Sequence, residues 1–492
     1  MLYNLLLPLK LDWLPLYSSE TPLRIGQRVE VRFSGKDYTA VVVGSEQTAT
    51  VASYKISEIS ALLPHVADIT AEELKLWRFI SSYYLCTLGE VYAAAYPKYK
   101  TESERKRRKT DSEPVVCTLS PRPESLRAGK PILYEGSERT SLYIEKIKAS
   151  LAEGYSALIL VPELEYTFIL QQALNDEFPG DVHLYDSLIT PAKKRKLCET
   201  LRRADKPVVV IGTKSALFLP YRKLGVIIVD EEQDPSHKQI EPAPRYNARD
   251  TAVVLGSIHF AQVILGSFTP SLESLYNCKT GKYTLLKGQL APACKLDIID
   301  ILSEKKKKGM EGDYSKKLLL KLKKTDCKET VCIIRSYKSE EEIVEFFSTR
   351  FPELDPQILT PFSAKHNTAD TALTAVLNAD SLFDKDDFRS DEKALQLLRS
   401  FASHTKQLVV QCTASSLPVY SAIRDIAFED ALLQERKTFR MPPYTRLVDI
   451  KDKKTGQLVE RKTLERDSHL EENKARLKVQ YGALYIIDVD PL

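Results

Sequence analysis

Several features are missing from this 492-residue sequence, and each absence excludes a class of protein. No two cysteines have the CxxC spacing of a zinc ribbon, so we expect no zinc site and assign the eight scattered cysteines to reduced, structural positions. The longest apolar runs, such as GVIIVD at 225–230, are too short to cross a bilayer. The amino terminus has neither a basic start nor a small-residue cleavage site, which argues against a secretory signal. We therefore expect a cytoplasmic protein with no membrane partner.

A strong net charge is also missing, because the formal charge is only +4 at pH 7. A charge of this size does not by itself require a nucleic-acid partner. Positive charge is instead concentrated in two stretches, at residues 98–110 and 303–324. These stretches are interpreted either as solvated linkers or as surfaces that contact phosphate, and the sequence leaves both interpretations open.

The residues that are present indicate a globular chain of several domains. Hydrophobic residues make up 43% and charged residues 28% of the sequence, which suits sizeable apolar cores. A chain of this length accommodates roughly three or four domains. Changes of composition and pattern place the boundaries so that the ranges are 1–97, 98–125, 126–295, 296–425 and 426–492.

The first range combines strands with a helix, and a basic stretch follows it. Residues 27–46 form two alternating runs around a Gly-Lys-Asp turn, which indicates a β-hairpin. Residues 70–85 have the apolar spacing of a helix, and Thr70 with Glu73 has the pattern of a capping box. Residues 98–125 are interpreted as a basic linker.

The range 126–295 alternates short apolar runs with helical stretches, so its fold class is α/β with a doubly wound sheet. Six runs are predicted to be buried parallel strands, at 131–135, 157–161, 182–186, 208–213, 225–230 and 263–268. Residues 296–425 repeat the pattern more weakly. Residues 426–492 begin with a helix, break at MPPY and end with a strand, which indicates a small α+β unit.

One candidate for a phosphate-binding loop is PILYEGSERTSLY at 131–143, since it reads as strand, turn and helix. Its match to the pattern GxxxxGK[ST] is weak, because Leu133 and Glu138 replace the two glycines and Arg139 replaces the lysine. Only Thr140 is the residue type that the pattern requires. By pattern alone, an ordinary strand–turn–helix is the better interpretation.

Two further motifs follow predicted strands, at the edge of the sheet where ligands collect. IIVDEEQD at 227–234 ends a strand in acids, so Asp230 would hold Mg²⁺ and Glu231 would orient the attacking water. GSFTPS at 266–271 supplies the hydroxyl groups of Ser267 and Thr269. The alternatives are an acidic strand end without function and a proline-containing turn before a capped helix.

Taken together, the motifs resemble those of the PriA family of bacterial replication-restart helicases. The resemblance rests on motifs that occur in the order GTKSALFLP (212–220), VDEEQDPSHKQ (229–239), RYNARD (245–250) and GSFTPSLESLYN (266–277). It extends over most of the chain through SSYYLCTLGEVYAAAYP (81–97), VPEL (161–164), LNADSLFDKDDFRSDEKALQLL (377–398), ERKTFRMPPYTRL (435–447) and the terminal IIDVDPL.

The resemblance implies a fold, an activity and partners. The fold would be two RecA-like P-loop NTPase lobes of helicase superfamily two, with an N-terminal, mostly-β DNA-binding domain and a small C-terminal α+β domain. The activity would be that of an ATP- and Mg²⁺-dependent 3′–5′ DNA helicase. The partners would be DNA forks, D-loops and single strands, primosomal loading proteins, single-stranded-DNA-binding protein and the replicative helicase.

The resemblance also assigns site residues by position. The phosphate loop would comprise Gly136, Ser137, Arg139 and Thr140, with Thr140 and Asp230 at the Mg²⁺ ion. Glu231 and Gln233 would act in catalysis, and Gln233 stands where the family usually has a histidine. Contact with DNA, and its coupling to hydrolysis, would fall to Lys238, Gln239, Arg245, Tyr246, Arg249, Gly266, Ser267 and Thr269.

The chain departs from the family pattern where ATP chemistry would take place. Besides the altered phosphate loop, His404 and Gln407 stand where the family has arginines that stabilise the transferred phosphate. The paired-cysteine zinc insertion is missing, and residues 98–130 are too few for the family's winged-helix domain. A carboxylate from Glu138 at about 4 Å from a phosphate would cost on the order of 4 kcal/mol at an effective dielectric near 20, which is roughly three decades of affinity.

Two functional hypotheses follow. The first is a DNA-binding relative of the helicase whose ATPase activity is lost or strongly impaired, and the altered loop and missing arginines favour it. The second is an active helicase whose loop tolerates these changes, and the intact DEE and GSFTPS motifs favour that one. A decaying gene copy without a distinct role is a third interpretation.

Overall fold

The structure is a computed structural model that describes residues 1–46, 56–64, 66–96, 129–186, 188–289, 294–335, 339–365, 369–384, 387–424, 427–466, 469–481 and 484–491. The predicted basic linker at 98–125 lies outside the described residues. None of the described helices is long and apolar enough to cross a membrane.

The amino-terminal part forms a six-stranded, mainly antiparallel sheet in the order β5-β2-β1-β4-β3-β6. Its strands are β1 (Leu2–Leu6), β2 (Leu16–Ser18), β3 (Arg28–Phe33), β4 (Lys36–Glu46), β5 (Ser57–Glu58) and β6 (Ala61–Leu62). The predicted hairpin is β3–β4, but its turn consists of Ser34 and Gly35, which both have positive φ angles. The turn therefore precedes the predicted Gly-Lys-Asp position, because Lys36 already pairs with Phe33.

Two helices, α1 (Ala71–Tyr83) and α2 (Leu88–Ala95), follow this sheet. The predicted capping box of α1 is confirmed, since the Glu73 side chain accepts from the Thr70 amide at 2.9 Å and the Thr70 hydroxyl accepts from the Glu73 amide at 3.2 Å. These bonds satisfy donors that the first turn of a helix otherwise leaves unpaired. The apolar face of α1 places Trp77 and Ile80 in the core.

The described residues between 129 and 289, which we call lobe 1, contain a seven-stranded, fully parallel sheet in the order β13-β7-β12-β11-β8-β10-β9. Its strands are β7 (Ile132–Glu135), β8 (Ser156–Leu160), β9 (Val182–Tyr185), β10 (Val209–Gly212), β11 (Leu224–Asp230), β12 (Gln262–Ser267) and β13 (Thr284–Lys287). Its helices are α3 (Thr140–Ala152), α4 (Phe168–Glu177), α5 (Pro191–Arg203), α6 (Ala248–His259) and α7 (Leu272–Lys279).

The described residues between 294 and 424, which we call lobe 2, repeat this architecture with a five-stranded parallel sheet in the order β14-β20-β19-β17-β18, so the predicted α/β fold class is confirmed. Its strands are β14 (Lys295–Asp300), β17 (Val331–Ile334), β18 (Gln357–Leu359), β19 (Thr371–Val376) and β20 (Thr405–Cys412), with a small hairpin of β15 (Met310–Glu311) and β16 (Tyr314–Ser315). Its helices are α8 (Ile301–Lys306), α9 (Lys316–Leu322), α10 (Glu340–Arg350), α11 (Pro361–Lys365), α12 (Ser390–Ser403) and α13 (Pro418–Ala422).

The carboxyl-terminal part is a three-stranded antiparallel sheet with two helices. Its elements are α14 (Phe428–Thr438), β21 (Thr445–Asp452), β22 (Leu458–Glu465), α15 (Leu470–Tyr481) and β23 (Tyr485–Val489), and the sheet order is β22-β21-β23. Helix, strand and terminal strand therefore occur in the order that the sequence predicts.

One apolar core runs through three of these parts. It includes Trp77 of α1, Val210 of lobe 1 and Val448 of the carboxyl-terminal sheet. The faces of the lobe 2 sheet are covered by separate clusters, to which Leu408 and Phe347 belong. The amino-terminal part, lobe 1 and the carboxyl-terminal sheet thus share burial of apolar surface, which is the main stabilising contribution in folding.

Candidate nucleotide site

Three sequence motifs meet at the edge of the lobe 1 sheet where its strands end. The neighbouring strands β7, β12 and β11 end at Glu135, Ser267 and Asp230. Their parallel register pairs Ser267 with Glu135 and Gly266 with Asp230. The segment 136–140, the acidic motif and the GSFTPS motif therefore lie side by side, in the position where open α/β sheets bind ligands.

The backbone amides of the candidate phosphate loop are already engaged. The Gly136 amide donates to the Ser267 carbonyl oxygen at 3.0 Å, and the Ser137 amide donates to the Gln289 carbonyl oxygen at 2.9 Å. The Ser137 hydroxyl donates to the same Gln289 oxygen at 2.9 Å. A phosphate loop binds its ligand with such amides, so in this arrangement Gly136 and Ser137 bind carbonyl groups in place of phosphate.

Gly136 lies in a crowded place, which favours a residue without a side chain. A Cβ atom would lie 3.0 Å from the Gly288 Cα atom and 3.1 Å from the Tyr134 ring. The Tyr134 hydroxyl donates to the Glu138 carbonyl oxygen at 3.1 Å and so closes the turn. The Glu138 side chain is exposed, and Thr140 is the first residue of α3.

Arg139 binds the two acids that a magnesium nucleotide would require. Its Nε donates to Asp230 Oδ1 at 2.9 Å, and a terminal nitrogen forms an ion pair with Glu231. The other terminal nitrogen donates to the Gly136 carbonyl oxygen at 3.3 Å. Burial alone would lower the pKa of the guanidinium, but Asp230 and Glu231 outweigh it and raise the pKa well above its usual value. The cation is therefore permanent.

Tyr143 adds a second donor to the same carboxylate. Its hydroxyl donates to Asp230 Oδ1 at 2.8 Å, and the side chain is fully enclosed. Burial, and then the charge of Asp230, raise the pKa of this phenol well above its usual value, so it remains a donor. Gly266 makes this approach possible, because a Cβ atom there would lie 1.7 Å from the Tyr143 oxygen.

A chain of hydrogen bonds connects the acidic motif to the GSFTPS motif. The Gln233 side-chain amide donates to Glu231 Oε2 at 2.6 Å, and the Ser267 hydroxyl donates to Gln233 Oε1 at 2.7 Å. The Ser267 oxygen in turn accepts from the Thr269 amide at 2.9 Å. Glu231 has a φ angle of 48°, a left-handed conformation that is costly for a residue other than glycine. The structure thus brings Arg139, Asp230, Glu231, Gln233, Ser267 and Thr269 into one polar group.

The two lobe 2 residues that replace the expected arginines differ in position. His404 is close enough to Arg139 and Glu231 to sense their charges, and burial is the main cause that lowers its pKa. Gln407 instead donates to Asp297 of β14, at 2.5 Å, within lobe 2. Gln407 is therefore not directed at the candidate site.

The segment predicted to couple DNA binding to hydrolysis is anchored in the interior. The Lys238 ammonium group donates to the carbonyl oxygens of Arg245 and Val489, at 2.7 and 2.5 Å, and pairs with Asp488 at 3.1 Å. Tyr246 is buried against Phe218, and its carbonyl oxygen accepts from the amide of Gln239 at 2.8 Å. Lys238 and Tyr246 would each have to leave these contacts before touching DNA.

Arg249 belongs to a buried network that sequence reasoning missed. Its guanidinium pairs with Glu232 at 3.2 Å and donates to the Ser271 hydroxyl at 2.7 Å. Glu232 is 1% exposed and also accepts from the Ser271 amide and the Ser274 hydroxyl, at 2.6 and 2.8 Å. Glu232, the third acid of the DEEQ motif, therefore stabilises the fold. The serines of SFTPSLES were the one sequence feature that pointed to its partners.

Ion pairs and hydrogen bonds of charged side chains also connect lobe 1 with lobe 2. Lys365 pairs with Asp234 at 2.7 Å, and Arg389 pairs with Glu273 at 2.6 Å. Glu392 accepts from the Leu272 amide at 2.9 Å. Its second oxygen accepts from Arg436 of α14 at 2.6 Å.

The described cysteines are all unpaired with one another, and Cys117 lies outside the described residues. Within the described part of the chain, no group of three or more His, Cys, Asp or Glu side chains is arranged to hold a metal ion.

Comparison with protein families and known proteins gives a consistent result. A family model described as the PriA 3′ DNA-binding domain matches residues 4–97. The replication restart protein PriA of Rickettsia conorii is 33% identical over 319 residues, which cover 62% of this chain and 48% of that protein. The PriA protein of Helicobacter pylori strain J99 is 33% identical over 348 residues, which cover 68% and 52%. The chain spans about half the length of the curated relatives it matches.

Similar solved structures include RecG bound to a three-way DNA junction, with a TM-score of 0.41, 12% identity and coverage of 75% of this chain and 53% of that chain. The helicase MrfA bound to DNA has a TM-score of 0.40 and 14% identity, over 74% of this chain and 56% of that chain.

Proposed function

We propose that the chain is a member of the PriA family of bacterial replication restart proteins, and that it binds DNA in replication restart while its ATPase and helicase activities are lost or strongly impaired. The match of residues 4–97 to a 3′ DNA-binding domain supports binding to forks, D-loops and single strands. The other proposed partners are primosomal loading proteins, single-stranded-DNA-binding protein and the replicative helicase, and the proposed location is the cytoplasm.

The main support for the proposed loss of ATPase activity is the ion pairing of Arg139 with Asp230 and Glu231. Mg²⁺ prefers octahedral oxygen ligands, and Asp230 Oδ1, one of the two oxygens that this carboxylate could offer, already accepts from both Arg139 and Tyr143. The loop amides of Gly136 and Ser137 are bound to carbonyl groups as well. The residues present therefore do not fit a magnesium nucleotide, and we assign no hydrolytic step to them.

The energy needed to open the site supports the same conclusion. The side chains of Arg139 and Asp230 are each 15% exposed, so their ion pair is mostly removed from water. Breaking a buried pair by removing one partner costs about 3–5 kcal/mol. A nucleotide that displaced Arg139 would lose affinity by a factor of roughly 10² to 10⁴.

An active ATP-dependent 3′–5′ helicase is the second candidate. The hydrogen-bonded path from Glu231 through Gln233 to Ser267 favours it, because these groups could still orient a water molecule. This function would require Arg139 to leave both carboxylates during every cycle.

The test is a DNA-binding and ATPase assay on the purified chain. We expect tight binding to a forked DNA with a 3′ end at the junction, weaker binding to a matched fork without that end, and no DNA-stimulated phosphate release. Turnover that Asp230→Asn abolishes would contradict the loss of ATPase activity. Equal, weak binding to both forks would contradict the proposed DNA-binding function.

A further inference from the structure

The lysine-rich stretch 303–324 on lobe 2 carries more positive charge than the whole protein. It contains nine lysines and three acidic residues, so its net charge is +6, whereas the net charge of the chain is +4. The other residues together therefore carry −2. Such segregation of charge indicates a binding surface for an anion more than a general effect on solubility.

The structure shows that this stretch is not a linker. It comprises the end of α8, the hairpin β15–β16 and helix α9. One face of α9 buries Leu318, Leu319 and Leu322 in the lobe 2 core. The hairpin residue Tyr314 stacks on Phe346 of α10, with 4.0 Å between the ring centroids. The lysines are thus mounted on a packed framework.

Hydrogen bonds join the end of α8 to the start of α9. The Gly309 amide donates to the Glu304 carbonyl oxygen at 2.7 Å, and the Lys316 amide donates to the Gly309 carbonyl oxygen at 2.8 Å. Lys317 then pairs with Glu304 at 2.9 Å. Seven exposed lysines lie along this stretch, four at the end of α8 and just after it and three at the two ends of α9, and we call them the lysine surface: Lys305, Lys306, Lys307, Lys308, Lys316, Lys323 and Lys324.

The charges of the lysine surface are not compensated within the described part of the chain. Ion pairs are formed by Lys317, with Glu304, and by Lys321, with Asp297. No described carboxylate pairs with any of the seven other lysines. Exposed charges interact over a Debye length of about 10 Å at 0.1 M salt, so uncompensated neighbouring lysines attract a polyanion.

We infer that the lysine surface binds the phosphate backbone of duplex DNA, at a site separate from residues 4–97 and from the candidate nucleotide site. This inference rests on the proposed DNA-binding function. Single strands are usually bound by aromatic side chains that stack on bases, but the one aromatic residue of the stretch, Tyr314, is buried. Lysines without aromatic neighbours suit contact with phosphates, which positions a duplex without reading its sequence.

The test is the salt dependence of binding to a fork with a long duplex arm. Each phosphate contact contributes about −0.9 to the slope of log K against log salt concentration. The variant K305Q/K306Q/K307Q/K308Q should therefore have a slope that is less steep by about 1 for each lysine in contact, and by up to about 4 in total. A second variant, K316Q/K323Q/K324Q, should act in the same direction by up to about 3.

The matched control removes four exposed cations from α5 on lobe 1, in the variant K193Q/R195Q/K196Q/R203Q. We expect its slope to match that of the unmodified chain. An equal loss in the control would mean that net charge alone is responsible, which overturns the inference. Unchanged slopes in both lysine variants, with circular dichroism showing them folded, would also overturn it while leaving DNA binding intact. A chain that binds no fork at all would overturn the proposed function as well.

Discussion

At the scale of single residues, one arginine determines what the candidate nucleotide site can do. Arg139 places a permanent cation between two carboxylates, where a magnesium nucleotide would need a metal ion. Its planar guanidinium presents its donors in a rigid fork, whereas the compact ammonium of a lysine has three rotatable donors without that fixed geometry. Tyr143 also donates to Asp230, and the Gly136 carbonyl oxygen accepts from Arg139, so both groups stabilise the same arrangement.

The substitution Arg139→Met tests this role in stability. It leaves Asp230 and Glu231 without their cation, so we expect the free energy of unfolding to fall by about 3 kcal/mol. Asp230→Asn and the double variant complete a mutant cycle, and the coupling energy should be about 1–3 kcal/mol. Urea unfolding measures all four proteins. A coupling energy below about 0.5 kcal/mol would show that the ion pair is not important for the fold.

The lowered pKa of His259, which is not part of the candidate nucleotide site, predicts how the free energy of unfolding depends on pH. Burial, and then the charge of Lys75, lower the pKa of His259 to about 4. The folded chain keeps this imidazole neutral, whereas the unfolded chain takes up a proton below pH 6.5, so stability decreases as the pH falls from 6.5 toward 4. His183, His237 and His404 also have lowered pKa values and act in the same direction.

Between pH 7.5 and pH 5.5, His259 should lower the free energy of unfolding by about 1 kcal/mol. The variant His259→Gln should lose that part of the pH dependence, as measured by urea unfolding at the two pH values. An unchanged pH dependence in the variant would contradict the assignment.

At the scale of elements, helix α12 joins the two lobes through charged contacts. Glu392 of α12 binds the Leu272 amide at the start of α7 and Arg436 of α14. Arg389, in the turn before α12, pairs with Glu273. Burial alone would raise the pKa of Glu273, but the positive charges of Arg389, Arg249 and Arg436 outweigh burial and lower that pKa. The charged groups that join the lobes are thus largely enclosed and mutually compensated.

Glu392→Ala should therefore separate the lobes. The change leaves Arg436 buried without its closest carboxylate, which costs about 3–5 kcal/mol. We expect a larger radius of gyration in small-angle scattering and a separate, earlier unfolding transition. Glu340→Ala removes an exposed acid from α10 of the same lobe and should change neither quantity. Equal scattering curves for both variants would show that these contacts do not hold the lobes together.

At the scale of the whole molecule, the sequence predicts local secondary structure better than it predicts which distant residues contact one another. The apolar runs of lobe 1 and the capping box at Thr70 are local patterns, and the structure contains both. The pair Arg139–Asp230 joins residues 91 positions apart, and Lys238 binds a carbonyl group 251 positions away. Such contacts depend on how the strands are ordered and how the parts pack, which periodicity does not encode.

The order of strands also explains what sequence reasoning found at the site and what it missed. Because β7, β12 and β11 are neighbours, the three motifs were correctly expected at one sheet edge. The amino-acid types in these motifs did not, however, predict that Arg139 would bind Asp230 and Glu231 instead of a phosphate. Glu232 was missed for the same reason, since its buried partners are Arg249 in the later helix α6 and Ser271 at the N-cap of α7.

The most direct test of the account is a calorimetric titration of the purified chain with ATP and Mg²⁺ in the presence of forked DNA. We predict no saturable binding up to millimolar nucleotide, since Arg139 and Tyr143 both donate to the Asp230 carboxylate and the loop amides bind carbonyl groups. Saturable binding with a Kd in the micromolar range, lost in the Asp230→Asn variant, would contradict the account.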